Sequence, residues 1–104
     1  MNGGITMIIN KKLEGTKLEI LLEGRLDTTT SPMLETELKQ SIDGLTELIF
    51  NFEKLEYISS AGLRILLAAQ KIMNKQGSMV VKNVNEIIAE VFEVTGFADI
   101  LTIE

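Results

Sequence analysis

The sequence predicts an α/β domain with elements in the order ββαβαβαβ, and three observations carry that prediction. Segments with an apolar period of two alternate with segments of helical period. Serine, proline, asparagine and glycine stand where helices would begin and end. The 104 residues, 45% of them hydrophobic, are one domain's length and enough to bury a core. Residues 1–104 are therefore read as a single domain. Alternation of strand and helix favours a largely parallel region with right-handed crossovers.

Met7 to Asn10 and Lys17 to Glu23 read as two strands joined at Glu14-Gly15. In the second, Leu18, Ile20 and Leu22 alternate with Glu19, Leu21 and Glu23, so one face is well buried. Gly24 to Asp27 leads into a polar loop, Thr28 to Thr30. Ser31-Pro32 is a helix start, with serine at the N-cap and proline at the first helical position, where its missing N–H does no harm. Leu34, Leu38, Ile42 and Leu45 then form one apolar face, and Asp43-Gly44 ends the helix.

Glu47 to Phe52 reads as a short strand, with Leu48, Phe50 and Phe52 on one face and Ile49 suggesting cover on the other. Glu53 to Ile58 reads as a loop. From Ala61 to about Lys75 the pattern is helical: Leu63, Leu66, Leu67 and Met73 line one side, and Ile65, Ala68, Ala69 and Ile72 widen it. Gly77 is a stop, since glycine takes the left-handed conformation easily. Met79 to Val81 is a further strand. Asn85 caps a third helix carrying Ile87, Ile88, Val91 and Phe92 as two i,i+4 pairs. Gly96 ends that helix, Phe97 folds back on its last turn, and Ile100 to Ile103 makes a final short strand.

Composition narrows the function. There is no cysteine, so no disulfide or thiolate metal site, in keeping with a reducing cytosol. There is no histidine, so no imidazole base and no usual zinc site. No metal or cofactor is expected. The formal charge of −5 argues against nucleic acid and anionic membranes as direct partners. No apolar run approaches the roughly 18 residues of a membrane span, and the first residues lack a signal peptide's basic start. A cytoplasmic protein, monomeric or weakly dimeric, is expected.

Serine catalysis needs a base, and nothing in the spacing marks a lysine or carboxylate for that task. There is no GxGxxG and no GxxxxGK[ST]. Catalysis by this chain is not expected. Ser59-Ser60, between an apolar segment and a helix start, suits an N-cap worth about 1 kcal/mol, and position alone favours that reading. Both roles can hold together, with Ser59 capping and Ser60 pointing outward. A hydroxyl beside the free N–H groups of a helix N-terminus is a good phosphoacceptor, because the positive end of the dipole tolerates the added charge.

The run YISSAGLRILL at 57–67 resembles the signature segment of STAS domains of the anti-sigma factor antagonist type. LEGRLDTTTSP at 22–32, ELIFNFEKLEYIS at 47–59 and VTGFADI at 94–100 agree in order, so the resemblance covers nearly the whole chain. It implies a small mixed β-sheet packed against helices. It also implies partner switching. The antagonist binds an anti-sigma factor that is a serine kinase using ATP, and so releases a sigma factor to RNA polymerase. Phosphorylation on one serine breaks the complex, and a PP2C-type phosphatase restores it.

In the family the acceptor lies two residues before the glycine of the Gly-Leu pair. Here that glycine is Gly62, and the acceptor maps to Ser60, with Ser59 as runner-up. Family members often carry aspartate where this chain has Ser59, and many have a second glycine where it has Arg64. Asp27 matches the acidic residue of the strand-to-helix loop; on its own it reads as an Asx-turn residue. The resemblance makes Asp27, Thr28, Thr29, Thr30, Ser59, Ala61, Gly62, Leu63 and Arg64 the expected partner-facing set. Met33 reads as core. The alternative is a STAS scaffold that is never phosphorylated, a subunit of a lipid-transport or signalling complex. An enzyme or small-molecule binder is a third class that no residue supports.

Overall fold

The computed structural model describes residues 7–104. Its first two strands, β1 (Met7–Glu14) and β2 (Lys17–Leu26), form an antiparallel hairpin in which Glu14 sits opposite Lys17. β3 (Glu47–Ile58) joins β2 in parallel, and β4 (Ser78–Lys82) joins β3 in parallel, giving the order β1-β2-β3-β4. α1 (Ser31–Ser41) links β2 to β3, and α2 (Ser60–Gln76) links β3 to β4. α3 (Glu86–Thr95) follows β4.

This topology explains the layering. Parallel strands added in one direction by right-handed crossovers place their helices on one side of the sheet. α1 packs on α2 accordingly, and the domain is 19 Å through its thinnest dimension, the depth of one sheet and one helix layer. Leu18, Ile20, Leu22, Leu48, Phe50, Met79 and Val81 face the helices in one core, to which α3 adds Ile88 and Phe92. Leu21, Ile49 and Val80 lie outside it and are half-buried. The cover on both sides that Ile49 suggested is therefore not found.

The strands run further than the alternation indicated. β1 reaches Glu14, β2 reaches Leu26, and β3 continues through the expected loop to Ile58. The β2–β3 register shifts twice, between Leu21 and Glu23 and between Gly24 and Arg25. Each shift puts an extra residue on β3. Buried positions past Phe52 therefore come three apart, at Leu55 and Ile58, and the period of two disappears from the sequence.

Helix ends also differ in detail. Thr30, not Ser31, occupies the N-cap of α1, and its side chain makes no cap hydrogen bond. Gly77 ends α2 with φ 175°, extended rather than left-handed. Glycine is needed there because a Cβ would lie 2.0 Å from the Thr46 carbonyl oxygen. At α3 the sequence reading holds: Asn85 Oδ1 accepts the Ile88 N–H at 2.8 Å, and Gly96 closes the helix at φ 82°. Phe97 turns back against the core within a 3-10 turn, Phe97–Asp99. The expected last strand reduces to a single parallel bridge between Ile103 and Val81.

Candidate functional site

Two segments distant in sequence meet at the C-terminal ends of β2 and β3. The Leu26 carbonyl accepts the Ser59 N–H at 2.9 Å, while Leu26 and Ile58 are register partners. The β2–α1 loop and the start of α2 are thereby held side by side. Gly62 makes the close approach possible. A Cβ on it would sit 2.8 Å from both the Leu26 and Ile58 side chains, so glycine lets α2 begin directly over the strand ends.

The loop is built around Asp27. Its Oδ1 accepts the N–H groups of Thr29 at 3.0 Å and Thr30 at 3.1 Å, the Asx-turn arrangement expected of it. The Thr30 hydroxyl accepts the Asp27 N–H at 2.9 Å and donates to the Arg25 carbonyl at 2.8 Å. The Ser31 N–H donates to the Asp27 carbonyl at 2.8 Å. Asp27 thereby supplies acceptors to the Thr30 and Ser31 N–H groups, which the start of α1 would otherwise leave free. The Thr30 N–H, followed by the Thr29 N–H, the Thr30 hydroxyl and the Arg25 guanidinium, holds the Asp27 carboxyl below the ordinary aspartate value. Arg25 stacks over the Tyr57 ring at 4.4 Å.

The two serines differ. Ser59 stands at the N-cap position of α2, but its side chain makes no cap hydrogen bond. Its Oγ is buried, with no hydrogen-bond partner among the described residues. The expectation that this hydroxyl caps the helix is therefore corrected. Ser60 is the first residue of α2 and is exposed. The first α2 carbonyl bond is Leu63 N–H to Ser59 at 3.0 Å, and the Ser60, Ala61 and Gly62 N–H groups have no backbone partner among the described residues, as at any helix start. No acidic residue occupies that first turn.

The expected partner-facing set divides by burial. Thr28, Thr29 and Arg64 are exposed, and Asp27, Ser59 and Ala61 are half-buried. Thr30, Gly62 and Leu63 are buried and shape the site from beneath. Met33 is half-buried against the core. Thr28, Ala61 and Arg64 also open a groove of about 440 Å³ between α1 and α2, which continues along Pro32, Leu38, Ile65, Ala68 and Ile72. Ile65, Ala68 and Ile72, which widen the apolar stripe of α2 in the sequence, line this groove beside Ala61 and Arg64 of the expected partner-facing set. The available signal was an apolar stripe wider than one sheet face can cover.

Comparisons with known proteins give the family and the fold. The STAS domain family matches residues 8–104. BtrV of Bordetella bronchiseptica, assigned as an anti-sigma factor antagonist, is 35% identical over 94 residues, 88% of this chain and 80% of that protein. The anti-sigma-B factor antagonist of Bacillus subtilis is 25% identical over 96 residues, 91% of this chain and 88% of that one. Among solved structures, the antagonist SpoIIAA in its unphosphorylated form superposes with a TM-score of 0.74 at 20% identity, covering 93% of this chain and 87% of that one. The phosphorylated form of SpoIIAA gives the same score, with 91% of that chain covered. Antagonists of this kind are regulators rather than enzymes. The chain is a STAS domain and belongs to the anti-sigma factor antagonist family.

Proposed function

We propose that this protein binds an anti-sigma factor serine kinase through the surface around Ser60, releasing a sigma factor, and that phosphorylation of Ser60 ends the complex. The observation that carries the reading is the contrast between neighbours: the Ser60 side is open to a kinase, and the Ser59 hydroxyl is buried. The kinase transfers the γ-phosphoryl group of ATP to Ser60 Oγ, and a PP2C-type phosphatase removes it. Both steps take place in the cytoplasm. That SpoIIAA has been solved with and without phosphate supports a fold that carries the group.

The physics suits a switch. A phosphoserine carries a charge of about −1.5 to −2, which the free N–H groups of the α2 N-terminus tolerate. Arg64 is exposed and four residues on, a helical spacing at which an arginine would pair with the phosphate. The folded state therefore survives, while a partner packed over Ser60 and Ala61 meets a buried charge it cannot match. The test is incubation with the cognate kinase and ATP, followed by peptide mass spectrometry. Phosphate on Ser60 is expected. Phosphate on Ser59 would reassign the acceptor, and no phosphate on either serine would favour the scaffold reading.

A further inference from the structure

Charge is distributed unevenly along the chain. Residues 1–82 hold ten acidic and ten basic side chains, whereas residues 83–104 hold five acidic and no basic ones. The whole formal charge of −5 therefore lies on α3 and the segment after it. On α3 the acids form a row, Glu86, Glu90 and Glu93, at helical spacing. One position on runs a second row, Ile87, Val91 and Val94. Ile87 is 61% exposed and Val94 77% exposed, although both are large apolar side chains.

The stability of the domain explains only part of each row: Glu86 stands in the first turn, where the dipole favours an acid, and Val91 is half-buried against the core, which leaves Glu90, Glu93, Ile87 and Val94. Ile88 and Phe92 already bury the inner face of α3. Like charges four apart, as at Glu86 and Glu90, destabilise a helix. Glu93 lies in the last turn, where the dipole favours a cation, and no basic residue is there. An acidic row beside an exposed apolar row is an arrangement that a partner's complementary rows would relieve.

We propose that the outer face of α3 is a docking surface for a basic amphipathic helix of a protein partner, separate from the surface around Ser60. Apolar side chains of that helix would cover Ile87, Val91 and Val94, and its lysines or arginines would face Glu86, Glu90 and Glu93. The same charge disfavours the other occupants. Nucleic acid and anionic lipid are repelled, and a second copy would bring a second acidic row to the rim.

The test uses the full chain, isotopically labelled for amide NMR, and two synthetic amphipathic helices of one hydrophobic pattern, one leucine–lysine and one leucine–glutamate. The leucine–lysine helix should shift amides of residues 86–104, with affinity falling as salt is raised. The double variant Ile87→Gln/Val94→Gln should weaken it at least about tenfold while keeping the circular dichroism of the parent. Glu90→Gln/Glu93→Gln should flatten the salt dependence. Equal binding of the leucine–glutamate helix, or shifts confined to the α1–α2 groove, would overturn the proposal. So would self-association in sedimentation that Ile87→Gln/Val94→Gln abolishes, since a second copy would then be the occupant.

Discussion

The Leu26 carbonyl accepts the Ser59 N–H at 2.9 Å, and this one bond ties the Asp27–Thr30 loop to the start of α2. It brings residues more than thirty positions apart into one surface, with Ser60 at its edge. The bond also fixes Ser59 with its N–H used and its Oγ turned into the protein, without a partner among the described residues.

Ser59→Ala is therefore expected to leave stability unchanged or raise it slightly, because an unpaired buried hydroxyl stabilises nothing. A capping serine would lose about 1 kcal/mol on the same change. Asn85→Ala is the internal control. It removes the cap bond to Ile88 and the bond from Asn85 Nδ2 to the Leu55 carbonyl, and should cost about 1–2 kcal/mol. Urea denaturation of the two variants separates the cases.

Ser60→Asp should keep the fold, since a carboxylate at the first turn of a helix is favoured by the dipole. Binding to the anti-sigma factor should be lost, measured by calorimetry against the unmodified protein. Binding as tight as that of the parent would remove Ser60 from the switch.

The two tight glycines should fail differently. Gly62→Ala puts a Cβ 2.8 Å from Leu26 Cγ and from Ile58 Cγ1, branch atoms of two buried side chains that must shift, and should cost about 1–3 kcal/mol. It should also weaken partner binding by displacing the start of α2. Gly77→Ala meets the Thr46 carbonyl, which cannot move without breaking the Ser78 N–H bond to it, and should cost more. Thermal melts ordered parent, Gly62→Ala, Gly77→Ala are expected.

Acid should loosen the domain through two carboxylates. Asp27 is held low chiefly by the Thr30 N–H, and Glu19 chiefly by the Asn51 side-chain amide, with Lys82 adding to it. A depressed carboxyl stabilises the fold above its unfolded value and stops doing so as pH falls through its folded value. Stability should thus be flat near neutrality and decline below about pH 4.5. Asp27→Asn should reduce the slope of that decline, read as denaturation midpoint against pH.

What depends on neighbours along the chain is readable from the residues alone. The Asx turn at Asp27, the Asn85 cap, the Gly96 stop and the apolar faces of the helices follow from local periodicity and local hydrogen bonding, and they stand in the structure. The family signature and Ser60 as acceptor candidate are legible in the same way, as a contiguous run. Tertiary contact decided the rest. The extension of β3 to Ile58 depends on bulges against β2, which break the alternation that would announce a strand. Gly77 is required by the Thr46 carbonyl, not by its own torsion. The i,i+4 pairs of α3 looked alike, yet only Ile88 and Phe92 are fully buried, while Ile87 stays outside. Ser59 and Ser60 are chemically identical neighbours. Only the packing of α2 over Leu26 and Ile58 makes one hydroxyl inner and leaves the other residue exposed, because burial is a property of what the fold brings near and not of the residue itself.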